Sequence, residues 1–89
     1  MNKIRRKAVA NIIAKLEELE SLRQEIQEML EEVQDEEQEA LDNMPESLQE
    51  SERGRQMEEY IDTMTGVVGD LECMDLDDLA DQLRDIVEA

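Results

Sequence analysis

The chain has 89 residues, with nine Lys and Arg against 26 Asp and Glu, no His, one Tyr, and neither Phe nor Trp. A chain this short buries a modest core at best, so a second copy is an expected source of further burial. The formal charge of −17 disfavours direct binding to nucleic acid or to anionic membrane surfaces, and points to basic protein surfaces or cations.

The first residues, Lys3-Ile4-Arg5-Arg6-Lys7 and then Ala8-Val9-Ala10, imitate the start of a signal peptide. Asn11 and Lys15 interrupt the apolar stretch and no small-residue cleavage site follows, so secretion is not expected. No apolar run approaches the ~18 residues needed to span a bilayer. From Ile4 onward the apolar positions recur at helical spacing. Val9, Ile12, Leu16, Leu19, Ile26, Leu30, Val33 and Ala40 form a seam, widened by Ile13, Leu22 and Met29 and interrupted by Arg23 and Glu37. A first helix over about 3–41 would be roughly 55–60 Å long, and such a seam requires a packing partner.

The segment 42–51 carries Pro45, the only proline, and the residue before a proline is pushed away from α geometry, so the chain is expected to reverse here. Pro45 also suits the first turn of a short helical piece through Leu48, and Ser51 is the candidate N-cap of a second long helix over about 52–88. That helix shows Met57, Tyr60, Ile61, Met64, Val68 and Leu71 on one stripe, and Leu76, Leu79, Leu83, Ile86 and Val87 on another slipped by about one residue. Either Gly66 and Gly69 bend a continuous helix, the favoured reading, or the helix breaks near Cys73 to Asp75 with Asp75 capping a fresh start.

Lys3, Arg5, Arg6 and Lys7 crowd the start of the first helix and Glu36, Glu37, Glu39 and Asp42 its end, both against the helix dipole. An antiparallel second helix would answer them, with Asp77, Asp78, Asp81, Asp85 and Glu88 near the basic start and Arg53 and Arg55 near the acidic end. The sequence thus predicts one all-α domain, residues 1–89. Its form is a long antiparallel, coiled-coil-like helical hairpin that self-associates into a helical bundle.

The opening Met1 to Ala8, the stretch Ile12-Ile13-Ala14-Lys15-Leu16-Glu17-Glu18-Leu19, and the linker Asp42 to Gln49 followed by Ser51-Glu52-Arg53-Gly54 carry a likeness. The chain resembles the small acidic helical proteins, mostly of unassigned function, encoded by phages and prophages of Gram-positive bacteria. The resemblance covers nearly the whole chain, and the linker is its distinctive part. It implies a viral setting in the cytoplasm of an infected or lysogenic bacterium, and no activity of its own.

Catalysis is not expected, because there is no His, one Cys, and no cleft in two polar helices where burial could raise a carboxylate's pKa. No cofactor and no metal are expected either. Helical two-metal sites combine Glu with Glu-x-x-His, and the Asp75, Asp77, Asp78 cluster lacks the glycine and final Glu of a calcium loop, where Ala80 and Ile86 stand. Cys73 alone makes no intrachain disulfide and suits a reducing compartment.

The most informative feature is an acidic run, since no basic residue occurs between Glu25 and Glu52. Glu28, Glu32, Asp35, Glu36, Glu39 and Asp42 form the candidate partner-binding face, a rod that imitates nucleic acid and occupies the basic channel of a host protein. The reading favoured from sequence is therefore a phage inhibitor of a defence or nucleic-acid-processing protein. Two alternatives stand beside it. One is a scaffolding coiled coil whose partner is itself. The other is a sponge for a small phosphorylated ligand, held by Arg5, Arg6, Arg53 and Arg55 at an inter-subunit pocket.

Overall fold

A computed structural model describes residues 1–89 and is all-α, without strands. Helix α1 spans Lys3–Asp42 and begins where Asn2 accepts the backbone N–H of Arg5 at 2.8 Å, a cap that offsets the basic first turn. It runs unbroken because residues 3–42 contain neither Gly nor Pro. It ends just before Pro45, whose φ of −57° and ψ of 146° turn the chain into a one-turn helix α2, Glu46–Gln49.

Helix α3, Glu52–Glu72, starts on Ser51, whose hydroxyl accepts the N–H of Gly54. Gly66 and Gly69 both lie inside α3, so neither ends it. The break falls at Cys73 to Asp75 instead, and helix α4, Leu76–Glu88, begins with the Asp75 carboxylate accepting the N–H of Asp78 at 2.9 Å. The one-residue slip between the two apolar stripes is therefore taken up by a break and a new cap. The favoured continuous helix does not form.

These helices contribute to two compact units, one of residues 1–25 with 74–89 and one of residues 26–73. In the first unit Ile13, Leu76 and Ala80 are buried, with Val9, Leu16, Leu83 and Val87 half-buried around them. Arg84 of α4 bonds Glu17 of α1. In the second unit the buried residues are Leu41, Ile61 and Gly54. Gln27 donates to Glu72 at 3.0 Å and Gln34 to Thr65 at 2.7 Å, so residue numbers rise along α1 as they fall along α3 and the two helices are antiparallel there.

The turn between α1 and α3 is held by two features. The Gln49 side chain donates to the carbonyl of Leu41 at 3.1 Å, which also accepts the N–H of Met44, and to the carbonyl of Met44 at 3.0 Å, tying the end of α1 and the turn after it to α2. Gly54 sits so close to α2 that a Cβ there would lie 2.2 Å from the carbonyl oxygen of Gln49 and 2.7 Å from that of Leu48. Only glycine allows the first turn of α3 to press on α2 in this way.

Candidate functional site

The second unit has two dissimilar sides, and both follow from its register. On α1 the half-buried or buried line is Gln27, Leu30, Gln34, Glu37 and Leu41; on α3 it is Gly54, Met57, Ile61, Met64, Val68 and Leu71. One residue is a turn of about 100° round a helix. In an antiparallel pair, the residues just before the packed positions of both helices fall on one side and those just after fall on the other.

The side that follows the packed line is polar. Glu31 and Asp42 accept from Gln27 and Gln38 at 3.1 and 3.0 Å, and Thr65 and Glu72 take the two bonds that cross between helices. Beyond it runs the acidic stripe. Glu28, Glu32, Asp35, Glu39 and Asp42 alternate at spacings of four and three residues, the period that keeps them on one face of α1, and all are exposed. None makes an ion pair within 4.0 Å: the pairs present are Lys15 with Glu18, Arg23 with Glu20, and Arg84 with Glu17 and Asp81. Glu36 is exposed as well and borders this stripe, four residues after Glu32, on the side towards Met29, which precedes it by seven residues.

The side that precedes the packed line carries the large exposed apolar residues of the unit, with Glu36, Arg53, Gln56, Thr63 and Asp70 among them. Ile26, Met29 and Val33 of α1 and Tyr60 and Val67 of α3 are 51, 60, 50, 52 and 43% exposed. This revises the seam read from sequence, in which Ile12, Leu19, Ile26 and Val33 pack together with Val9, Leu16 and Leu30. Ile12, Leu19, Ile26 and Val33 point outward, and the packed line carries Ile13, Glu20, Gln27 and Gln34 in their place, with Arg23 and Glu37 on it as well. The apolar arc of α1 is wider than one antiparallel neighbour can cover, so the register chooses which part is buried.

The charge pairing expected between helix ends is also revised. Lys3, Arg5, Arg6, Lys7, Arg53 and Arg55 make no ion pair within 4.0 Å, and the single pair between helices has the opposite sense, a base on α4 with an acid on α1. The guanidinium of Arg84 has its pKa raised by its hydrogen bonds to Glu17 and then Asp81. Glu20 is held below the usual carboxylate range chiefly by its hydrogen bond from Arg23, at 2.6 Å from one guanidinium nitrogen.

Arg5 and Arg6 belong to the first unit, where Arg5 is exposed and Arg6 is half-buried with its Nε buried and unbonded. Arg53 and Arg55 belong to the second, in a shallow depression at the start of α3 with Glu52, Gln56 and Glu59. The carboxylates of Glu52 and Glu59 line the depression beside the two guanidinium groups, so its charges balance. Asp75 spends its carboxylate on the α4 cap, and no group of three His, Cys, Asp or Glu side chains is placed to hold a metal ion. No helix is long and apolar enough to cross a membrane. The chain matches no protein-family model, no curated protein and no solved structure.

Proposed function

We propose that this protein is a non-enzymatic helical binding protein, of the kind that phages and prophages encode, which occupies a basic surface of a host protein through the acidic stripe of α1. The observation that carries the reading is the stripe itself: five exposed carboxylates in strict alternation, none committed to an ion pair. At about 3.5 residues per charge and ~1.5 Å per residue, the stripe presents one charge per ~5 Å, against one per ~1.7 Å of duplex DNA. A single stripe imitates nucleic acid at about a third of its charge density. Two copies side by side come closer, which makes a basic nucleic-acid channel in a defence or nucleic-acid-processing protein the fitting class of target.

The test is capture from host lysate at low and high salt by the native chain, by a triple reversal Glu32→Lys, Asp35→Lys, Glu39→Lys, and by Asp85→Lys alone. A basic protein should be held at low salt, released at high salt and lost from the triple variant, while Asp85→Lys, an exposed acid of α4 in the other unit, keeps it. Equal capture by the native and triple-reversed chains would sink the reading.

A second reading has its own support. The hairpin suggested by the antiparallel contacts leaves large apolar side chains exposed in each unit. This favours self-association into a helical bundle, either as the whole purpose of a scaffolding coiled coil or as the form in which the acidic stripe is displayed.

A further inference from the structure

We infer that the apolar side of the second unit, formed by Ile26, Met29 and Val33 of α1 with Tyr60 and Val67 of α3, is the face on which a second copy of this chain docks. The inference rests on the self-association reading and assigns it a surface. Three observations converge on it.

The first is an inversion of the ordinary burial pattern. An amphipathic helix turns its most apolar stripe inward, yet here α1 packs Gln27, Gln34 and Glu37 toward α3 while Ile26, Met29 and Val33 stay half or more exposed. Glutamines are tolerated in the packed line because Gln27 and Gln34 find partners there, Glu72 and Thr65. The outward stripe has no such polar compensation and needs an apolar cover.

The second is the need for that cover to be always present. Across the chain only Ile13, Leu41, Ile61, Leu76 and Ala80 are buried hydrophobic residues, and no large side chain is fully buried. Small chains with so little core depend on further burial for stability. An occupant that completes a core must exist whenever the chain exists, and another copy meets that condition where a foreign partner does not. A lipid surface is the poorer cover, because interfacial helices carry several Lys and Arg beside their apolar face; here this side carries the acids Glu36 and Asp70 and the single base Arg53.

The third is size and charge. Two helices about 10 Å across, over the ~20–25 Å that these residues span, offer a footprint of about 500 Å² per copy. That gives roughly 1,000 Å² for a pair, the threshold of a specific interface. The centre of the patch carries no formal charge, and the acidic stripe lies on the opposite side of the unit. Two chains of charge −17 can therefore meet here with their acidic stripes turned away, by about a Debye length or more at physiological salt, leaving Glu36 and Asp70 as the acids on this side.

Tyr60, the only aromatic residue, is a native probe at one end of the face, since the register of Gln27 with Glu72 and Gln34 with Thr65 sets it level with residue 39 of α1. Sedimentation of the full chain should show a concentration-dependent dimer or higher even-numbered bundle. Quenching of Tyr60 fluorescence by acrylamide, which is uncharged, should weaken as protein rises from about 1 to about 200 µM, the range over which a micromolar association fills. Val33→Lys and Val67→Lys should each weaken association at least about tenfold, and Asp62→Ala, an equal change of charge away from the face, should leave it intact. Where the lysine variants lose their helix along with the dimer, a native melting temperature that climbs with concentration supports self-association, and the loss of Tyr60 quenching over the same range supports this face. An oligomer in which Tyr60 stays as quenchable as at high dilution would overturn this face while leaving self-association standing. A chain that remains a helical monomer throughout overturns both, including one whose apolar side is taken up by vesicles or a foreign protein.

Discussion

Between α1 and α3 the chain is held from a distance, by the Gln49 side chain reaching back to the carbonyls of Leu41 and Met44 and by Gly54 pressed on the backbone of α2. Between α3 and α4 it is held locally, by Asp75 accepting the N–H three residues on, with Cys73 exposed beside it. The first interruption is a tertiary structure in miniature and the second is a cap. Their difference teaches that a similar break in helical periodicity can arise from long-range backbone contact or from one side chain, and the two should fail differently.

The largest expected effect is at the first. Gly54→Ala places a Cβ 2.2 Å from a backbone carbonyl oxygen, so α2 or α3 must move, at a cost of about 2–3 kcal/mol by the measure of overpacked cores. Gly66→Ala is the counter-test on the same helix, because a Cβ there meets nothing within 4 Å. It should stabilise by about 0.5–1 kcal/mol, as alanine does over glycine inside a helix. Thermal or urea melts of the two variants should move in opposite directions, and equal shifts would show that Gly54 is not in close contact.

Side-chain deletions then separate the two interruptions. Gln49→Ala strips a hydrogen-bond donor from two carbonyls at a part-buried turn, worth about 1–2 kcal/mol, and should lower hydrogen-exchange protection at both the end of α1 and the start of α3. Asp75→Ala should cost about 1 kcal/mol, the ordinary value of a cap, and fray only the first turn of α4. Loss of protection spreading well into α3 in the Asp75 variant would erase the distinction.

The smallest expected effect is electrostatic and lies outside both interruptions. Arg23 holds the Glu20 pKa below its ordinary value in the folded chain. Its contribution to stability is therefore complete above the unfolded-state pKa and disappears as pH falls through the lowered folded value. Melting temperature followed from about pH 5 to about pH 3 should drop more in the native chain than in Glu20→Gln, while the general relief of acidic repulsion is common to both. Superimposable profiles would mean that the pair does not act on folding.

The extent of α1 and the start of α3 were legible because caps and breakers act within a few residues, whereas the break before α4 was weighed and the continuous helix favoured over it. Ser51 and Asp75 stand where the second and third long helices start, and residues 3–42 hold nothing that stops a helix. The acidic stripe is a sequence-level feature for the same reason, since a spacing of three and four residues is a property of one helix; Glu36 lies at its border, between Glu32 and the line of Met29. Gln49 and Gly54 were not legible. A glutamine that caps another helix and a glycine flattened by a neighbouring backbone look in sequence like any polar residue and any helix-start glycine.

What the amino-acid sequence determined by itself is the all-α class, the helix ends set by local caps and the segregation of acid from apolar positions round α1, since each depends on residues a turn or two apart. What only the tertiary structure decided is which apolar stripe is used at home. α1 offers adjacent lines one residue apart, and the line that faces α3 was chosen by register, through Gln27 with Glu72 and Gln34 with Thr65. A helix with an apolar arc wider than one neighbour can cover leaves that choice to its partners.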